Sequence, residues 1–221
     1  MKNFYDIILN VSNLRWSIVD PEPSSFEDVQ KAVKLAVCQA HSYIWGLNDF
    51  CFKERKAIFS LNNGENTFLA PKGIIKQVWV KGGSEYLTEF ENREEVDFLE
   101  DKTGQPVQYW VEMSDSGPIV KLYPTPDKSM QVFIRYDTSM KAKSADGKEK
   151  ANFEMMDDVL NLPDDEVLQD LYLHCLNTKS MVYLVADETD ENYRPYIQEF
   201  EEAYRSLLKY RATMTDRRFV I

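Results

Sequence analysis

Residues 107–136 have the sequence VQYWVEMSDSGPIVKLYPTPDKSMQVFIRY, and their pattern decides the fold class. Over 107–113 and over 130–136, large apolar residues occupy every second position, which is typical of strands that bury one face. Between these segments, residues 118–123 form a third apolar run that stops at a Pro-Thr-Pro sequence, since proline lacks the N–H group that a sheet needs. The stretch therefore predicts an antiparallel sheet.

The strand-like pattern extends upstream to about residue 50. Residues 53–61 and 66–70 flank Asn62-Asn63-Gly64-Glu65, a turn sequence in which Asn and Gly tolerate positive φ, so we expect a hairpin here. Residues 74–80 predict a further strand. Together these segments predict an antiparallel β domain over residues 50–150.

Helical patterns lie on both sides of this domain. Residues 4–14 have helical spacing, although their β-branched residues leave a strand possible. A second helix is predicted to begin after a cap at Ser25 and to end near Gly46. Its apolar stripe comprises Val29, Ala32, Val33, Ala36, Val37, Ala40 and Ile44.

A helix pair is predicted near the C-terminus. Pro163 with the acids that follow it favours a helix start, and that helix is expected to run to about Ala186. The next helix is expected to open between Asp190 and Asn192, with an apolar face of Tyr193, Tyr196, Ile197, Phe200, Ala203, Tyr204 and Leu207. The short acidic link makes the two an antiparallel pair.

The predicted fold class is therefore α+β. Residues 1–49 and 151–212 form a helical bundle into which the β domain is inserted, and residues 213–221 form a C-terminal docking tail. In that tail, two basic residues precede an apolar end, namely Arg217, Arg218, Phe219, Val220 and Ile221. A frayed terminus and a segment that docks on a neighbouring subunit both fit this pattern.

The segment from residue 141 to residue 150 is rich in lysine and contains an Asp146-Gly147 turn, so we interpret it as a mobile loop. The alternative is a finger that lies close to DNA through Lys141, Lys143, Lys148 and Lys150.

Composition limits the function classes. The 221 residues are 43% hydrophobic and 13% aromatic, which provides enough apolar surface for a substantial core. The net charge of −11 argues against a protein that grips phosphate backbones, although an acidic wall that repels DNA would suit a conduit. Three cysteines without metal-site spacing, no signal sequence and no apolar run long enough for a membrane span suggest a soluble protein of a reducing cytoplasm.

The sequence shows no catalytic or metal-binding motif. His41 lies near Cys38 and His174 adjoins Cys175, but neither pair has further ligands at zinc-site spacing. The acidic run over residues 187–191 lacks the glycine of a calcium-binding loop. We therefore predict no catalytic residues, cofactor or metal.

The order of the elements is more specific than any single motif. The run Phe68-Leu69-Ala70-Pro71 precedes the strand 74–80; Ile119 to Asp127 ends in Leu-Tyr-Pro-Thr-Pro-Asp; and Leu162-Pro163 opens the helix pair. Over residues 26–210 this order resembles the head-to-tail adaptor proteins of tailed bacteriophages, the family of podovirus tail accessory factors and tubular-tail ring proteins. The acidic segment 84–105 and the lysine-rich segment depart from the usual pattern.

The resemblance implies a non-enzymatic structural protein of the virion. Such a subunit would form a homo-oligomeric ring, usually of twelve copies, beneath the portal protein at the capsid vertex. It would contact downstream tail or ring proteins, and double-stranded DNA would pass through its lumen without sequence-specific binding or membrane contact. The protein would be made in the cytoplasm of the host bacterium. The alternatives are another neck or tail completion protein, and an enzyme or regulatory subunit with an unrecognised site.

Overall fold

The computed structural model describes residues 2–16, 26–47, 50–83, 85–90, 99, 101–185 and 193–217. These residues form four α-helices, a short 3-10 helix (Cys51–Lys53) and twelve strands. The helices are α1 (Phe4–Trp16), α2 (Phe26–Leu47), α3 (Glu166–Leu184) and α4 (Tyr193–Arg217). The predicted α+β class is confirmed, with helices on both sides of a β region.

Two compact units divide the chain. The first comprises residues 1–52 and 140–221, and the second comprises residues 53–139. The β domain predicted from the sequence spans residues 50–150 instead. The difference concerns mainly residues 140–150, which lie with the helices.

The helical unit is built around one apolar core that all four helices share. Its fully buried members include Ile7 of α1, Ile44 of α2, Tyr172 of α3 and Leu207 of α4. Of the predicted stripe on α2, Val33, Ala36, Val37, Ala40 and Ile44 are buried, whereas Ala32 is exposed.

Helices α3 and α4 are antiparallel, as predicted. The hydroxyl of Tyr210, late in α4, donates to the carboxylate of Asp165, which precedes α3, over 2.7 Å. Asp165 also caps α3 by accepting from the N–H of Leu168 at 2.9 Å. The helix therefore begins at Glu166, later than the predicted start at Pro163, because the cap is the second acid after the proline.

The prediction of a mobile loop at 141–150 is wrong. Residues 142–143 form strand β10, which pairs on one side with β11 (Glu149–Lys150) and on the other with β12 (Val159–Leu160). Ala142 is fully buried in the helical core, where its small side chain fits. The lysines around it in the sequence hide this burial from a reading of the sequence alone.

The second unit contains the remaining nine strands. They are β1 (Glu54–Leu61), β2 (Thr67–Leu69), β3 (Gly73–Val80), β4 (Thr88–Glu89), β5 (Thr103–Gly104), β6 (Gln108–Ser114), β7 (Gly117–Tyr123), β8 (Thr125–Pro126) and β9 (Met130–Thr138). A three-stranded sheet has the order β1-β9-β3, a four-stranded sheet has the order β2-β7-β6-β4, and β5 pairs with β8. One apolar core, with Val78, Val120 and Ile134 fully buried, joins residues of the two larger sheets.

The predicted hairpin over residues 53–70 is not formed. Its turn exists, with Gly64 at φ +83°, but β1 pairs with β9 and β2 pairs with β7. The turn therefore passes the chain from one sheet to the other. In the pairing with β9, each of the eight residues of β1 faces a partner residue. The strand β2 has only three residues and could pair with only part of β1.

Candidate interaction surfaces

Of the two histidines that the sequence places near cysteines, His41 is part of the core, whereas the side chain of His174 is exposed. His41 is fully buried on α2, where Nδ1 lies 2.8 Å from the hydroxyl of Tyr172 and Nε2 lies 3.1 Å from the backbone oxygen of Lys141. Because that carbonyl oxygen can only accept, Nε2 carries the proton and Nδ1 accepts from Tyr172. The imidazole thus joins α2, α3 and the start of β10 as a neutral ring.

Its environment suits structure rather than chemistry. Burial lowers the pKa of His41 to about 3, and burial raises the pKa of Cys175 to about 12. Neither a protonated imidazole nor a thiolate is therefore available near neutral pH. Within the part of the chain that the structure describes, no group of three or more His, Cys, Asp or Glu residues could hold a metal ion. No described helix is long and apolar enough to cross a membrane.

Two of the four lysines that the alternative interpretation places near DNA are engaged within the helical unit. The ammonium group of Lys141 donates to the hydroxyl of Ser42 over 3.1 Å, and that of Lys150 lies 2.9 Å from the carboxylate of Asp158. Lys148 is 81% exposed beside Asp146, and Lys143 is half-buried in β10. The segment therefore presents Lys148 outward and uses Lys141 and Lys150 to hold the fold.

A second feature of the helical unit is an exposed turn, Glu154 to Asp157, which we call the methionine turn. Met155 is 61% exposed and Met156 is 37% exposed, with a carboxylate residue on each side. The fully buried carboxylate of Asp158 supports the turn by accepting from the N–H groups of Glu154 at 2.7 Å and Met155 at 2.8 Å. The turn is therefore held in one conformation although its methionines face solvent.

The charge on Asp158 is matched by its surroundings. Burial alone would raise the pKa of this carboxyl, but the N–H group of Met155 and the ammonium of Lys150 outweigh burial and hold the pKa below its usual value. The turn also receives the start of α1, since the N–H of Tyr5 donates to the backbone oxygen of Met156 over 3.0 Å. Tyr5 is itself 46% exposed and extends the apolar surface.

The outer face of the three-stranded sheet carries a row of apolar side chains, which we call the aromatic row: Ile58, Phe133, Trp79 and Tyr86. Phe133 is paired with Ile58 on one side and with Trp79 on the other. The rings of Trp79 and Phe133 stack with centroids 5.5 Å apart, and Tyr86 meets Trp79 edge-on at 5.7 Å. Ile58 is 59% exposed and Tyr86 is 55% exposed, so the row ends in solvent at both sides.

Basic groups border the aromatic row. Lys56 and Arg135 form the neighbouring row on one side. On the other side, Lys81 donates to the side-chain oxygen of Gln131 over 2.9 Å at the rim of a depression of about 400 Å³. The described residues that line the depression include Lys81 and Lys128 and no carboxylate. Arg135 forms an ion pair with Glu54, its Nε lying 3.4 Å from the carboxylate, whereas the depression carries two lysines and no carboxylate in a chain with a net charge of −11.

Sequence reasoning missed both surfaces, although one left a signal. In the alternating strand 130–136, Phe133 falls among the polar positions, and an aromatic residue there indicates an exposed apolar surface. The methionine turn left no periodic signal, because its shape depends on Asp158 and on contacts with α1.

The predicted docking tail, residues 213–221, lies partly outside the described residues. Helix α4 continues to Arg217, so the tail predicted over residues 213–221 is helical up to that residue. Residues 218–221, with the rest of the predicted docking set, fall outside the described part of the chain.

Comparison with known protein families now identifies the class of protein. The family described as SU10 adaptor protein matches residues 5–220, which is nearly the entire chain. This chain belongs to the SU10 adaptor protein family. The family is a phage head-to-tail adaptor family, so the predicted resemblance to tailed-phage adaptors is confirmed. No curated protein matches the sequence.

Membership in the SU10 adaptor family makes this chain a structural adaptor protein of a bacteriophage, associated with the virion. An adaptor acts through its surfaces, so the methionine turn and the aromatic row are the features whose partners need to be found.

Proposed function

We propose that this adaptor is one subunit of a homo-oligomeric ring in the phage neck, where it joins the portal protein to the tail. The ring has twelve copies, lies at the capsid vertex and encloses the channel through which the genome is ejected. The observation that carries the proposal is the family match over residues 5–220.

The chemistry of the described residues supports a structural rather than an enzymatic role. The buried histidine is neutral and hydrogen-bonded on both nitrogens, and the buried thiol of Cys175 holds its proton. Exposed apolar groups instead lie on the sheet face and on the methionine turn. Such groups gain free energy when a partner covers them.

The net charge fits passage of DNA without binding. A surface with a charge of −11 repels the phosphate backbone, which favours sliding over gripping. Within this proposal Lys148, which is 81% exposed, is the member of the lysine-rich segment best placed to meet DNA. The C-terminal residues 217–221 dock on the portal protein or on a neighbouring copy.

The deciding experiment is an averaged electron-microscopy reconstruction of the particle neck, combined with mass spectrometry of purified virions. We expect this chain in the particle and a closed ring of its density directly below the portal. If the chain is absent from intact particles, or occupies another part of the virion, the proposal fails.

A further inference from the structure

Among the described residues of its own unit, neither the methionine turn nor the aromatic row is covered by a partner. Met155 and Ile58 expose about three-fifths of their surface, and each lies within a group of apolar neighbours rather than alone. A contiguous apolar surface of this kind marks a site of association. The question is what covers each surface.

The two surfaces are chemically complementary. Methionine thioethers make favourable contacts with aromatic rings, and the flexible side chain adapts to an uneven surface. The rings of Trp79 and Phe133 form a rigid stacked platform that could receive Met155 and Met156. Because Trp79 and Phe133 are already half-buried and stacked, little ordering is needed on binding.

The charges around the two surfaces are also complementary. Glu154 and Asp157 flank the methionines and are exposed. Lys81, which lies one row from the aromatic row through its contact with Gln131, lines a depression together with Lys128, and the described lining residues include no carboxylate. Opposite charges at the rim steer association and select the orientation of two apolar surfaces.

Rigidity of the methionine turn adds to the match. Two backbone N–H groups of the turn donate to Asp158, which Lys150 neutralises, and α1 holds the turn from the other side. Because the methionine turn is already held in one conformation, it loses little conformational entropy when it docks.

We propose that the methionine turn of one copy docks on the aromatic row of the next copy, with Glu154 and Asp157 facing Lys81 and Lys128. The two surfaces differ and belong to the same chain, so the contact is heterologous and generates a ring when the rotation closes. This inference rests on the proposed ring function and specifies its subunit interface.

The test uses one variant for each surface in the full-length chain. The turn variant carries Met155→Glu and Met156→Glu, and the row variant carries Ile58→Asp and Lys81→Glu; all four side chains are exposed, so folding is retained. The control is Met113→Glu, because Met113 is 73% exposed on β6 of the other sheet. Circular dichroism and thermal unfolding verify that all variants fold.

Self-association of the purified chain is measured by sedimentation velocity over a wide concentration range. The measurement is made with the chain alone and then with the chain mixed with isolated portal protein. We expect each surface variant to weaken association by at least about tenfold and the control to match the wild type. An equimolar mixture of the two variants retains one intact interface per pair, so it should form 1:1 dimers that grow no further.

Charge exchange provides the second arm. Lys81→Glu with Lys128→Glu should weaken association of that protein. Mixing it with a chain that carries Glu154→Lys and Asp157→Lys adds a charge-reversed interface to the one that stays wild-type, so this mixture should grow beyond 1:1 dimers. Wild-type association by either surface variant, or no association of the wild type in either setting, overturns the inference.

Nucleic acid is the competing occupant of a row of rings bordered by lysines. One outcome would be that a single-stranded oligonucleotide binds the wild type but not the row variant, while the row variant self-associates as the wild type does. The aromatic row would then be a nucleic-acid binding site, and the inference fails. A ring in the particle neck that persists in both surface variants would refute this interface and leave the proposed function standing.

Discussion

The buried imidazole of His41 should make the stability of this adaptor depend on pH in a range where carboxylates do not titrate. In the unfolded chain its pKa is near 6.5, and in the folded protein burial lowers it to about 3. Between these values the unfolded state binds a proton that the folded state does not. Acidification therefore favours unfolding, and the stabilisation is present above the unfolded pKa.

The magnitude follows from the two pKa values. The full difference corresponds to about 5 kcal/mol, reached only below the folded pKa. On lowering the pH from about 7.5 to about 5, the loss is about 2 kcal/mol, because the unfolded histidine is then almost fully protonated. The lowered pKa of Asp158 stabilises the fold, and this stabilisation is lost only at lower pH, since unfolded carboxyls are still ionised above about pH 5.

The measurement is urea unfolding, followed by tryptophan fluorescence, at several pH values in this range. We expect the free energy of unfolding to fall by about 2 kcal/mol for the wild type. His174→Gln is the matched control, because the side chain of His174 is exposed and its loss should leave the slope nearly unchanged. His41→Gln should lower stability at every pH and abolish most of the slope.

A slope for His41→Gln equal to that of the wild type would refute the reasoning. The pH dependence would then come from groups other than this imidazole, and the neutral, doubly hydrogen-bonded ring would not describe the folded state.

Four further changes have defined outcomes. Asp158→Asn should lower the free energy of unfolding by about 2 kcal/mol, because two N–H groups and an ammonium lose their charged acceptor, whereas Asp146→Asn on the exposed surface should leave the urea midpoint unchanged. Lys179→Met should cost about 1 kcal/mol in the same assay, since the ammonium group of Lys179 lies 4.1 to 5.0 Å from three aromatic ring centroids. Gly73→Ala should cost about 2 kcal/mol, since a Cβ there would stand 2.1 Å from a backbone oxygen of the neighbouring strand, and an unchanged melting temperature would contradict the close approach. Deletion of residues 217–221 should reduce incorporation of the chain into particles while leaving circular dichroism unchanged, and normal incorporation would remove the docking role from the tail.

The helices and strands with strong periodicity were predictable because their signal is local. Val132, Ile134 and Tyr136 occupy every second position of β9, and all three are buried as expected. On α4, the pattern that includes Phe200 and Leu207 likewise identified the buried face.

Strand partners were not predictable in the same way. The turn at residues 62–65 has the chemistry of a hairpin turn, yet β1 pairs with β9, which begins 69 positions after the end of β1. Partner choice depends on which apolar faces meet in the core, and no local pattern records that choice. The lysine-rich segment was misjudged for a related reason, because a single buried Ala142 is invisible among charged neighbours.

The sequence alone determined the α+β class, the antiparallel helix pair and the resemblance to phage adaptors, since these depend on periodicity, capping residues and the order of elements along the chain. Only the tertiary structure determined that His41 is a neutral core group and that Met155 and Trp79 belong to exposed, supported surfaces. The physical reason is that burial, a shifted pKa and the shape of a surface arise from contacts between residues far apart in the chain, such as His41 with Tyr172.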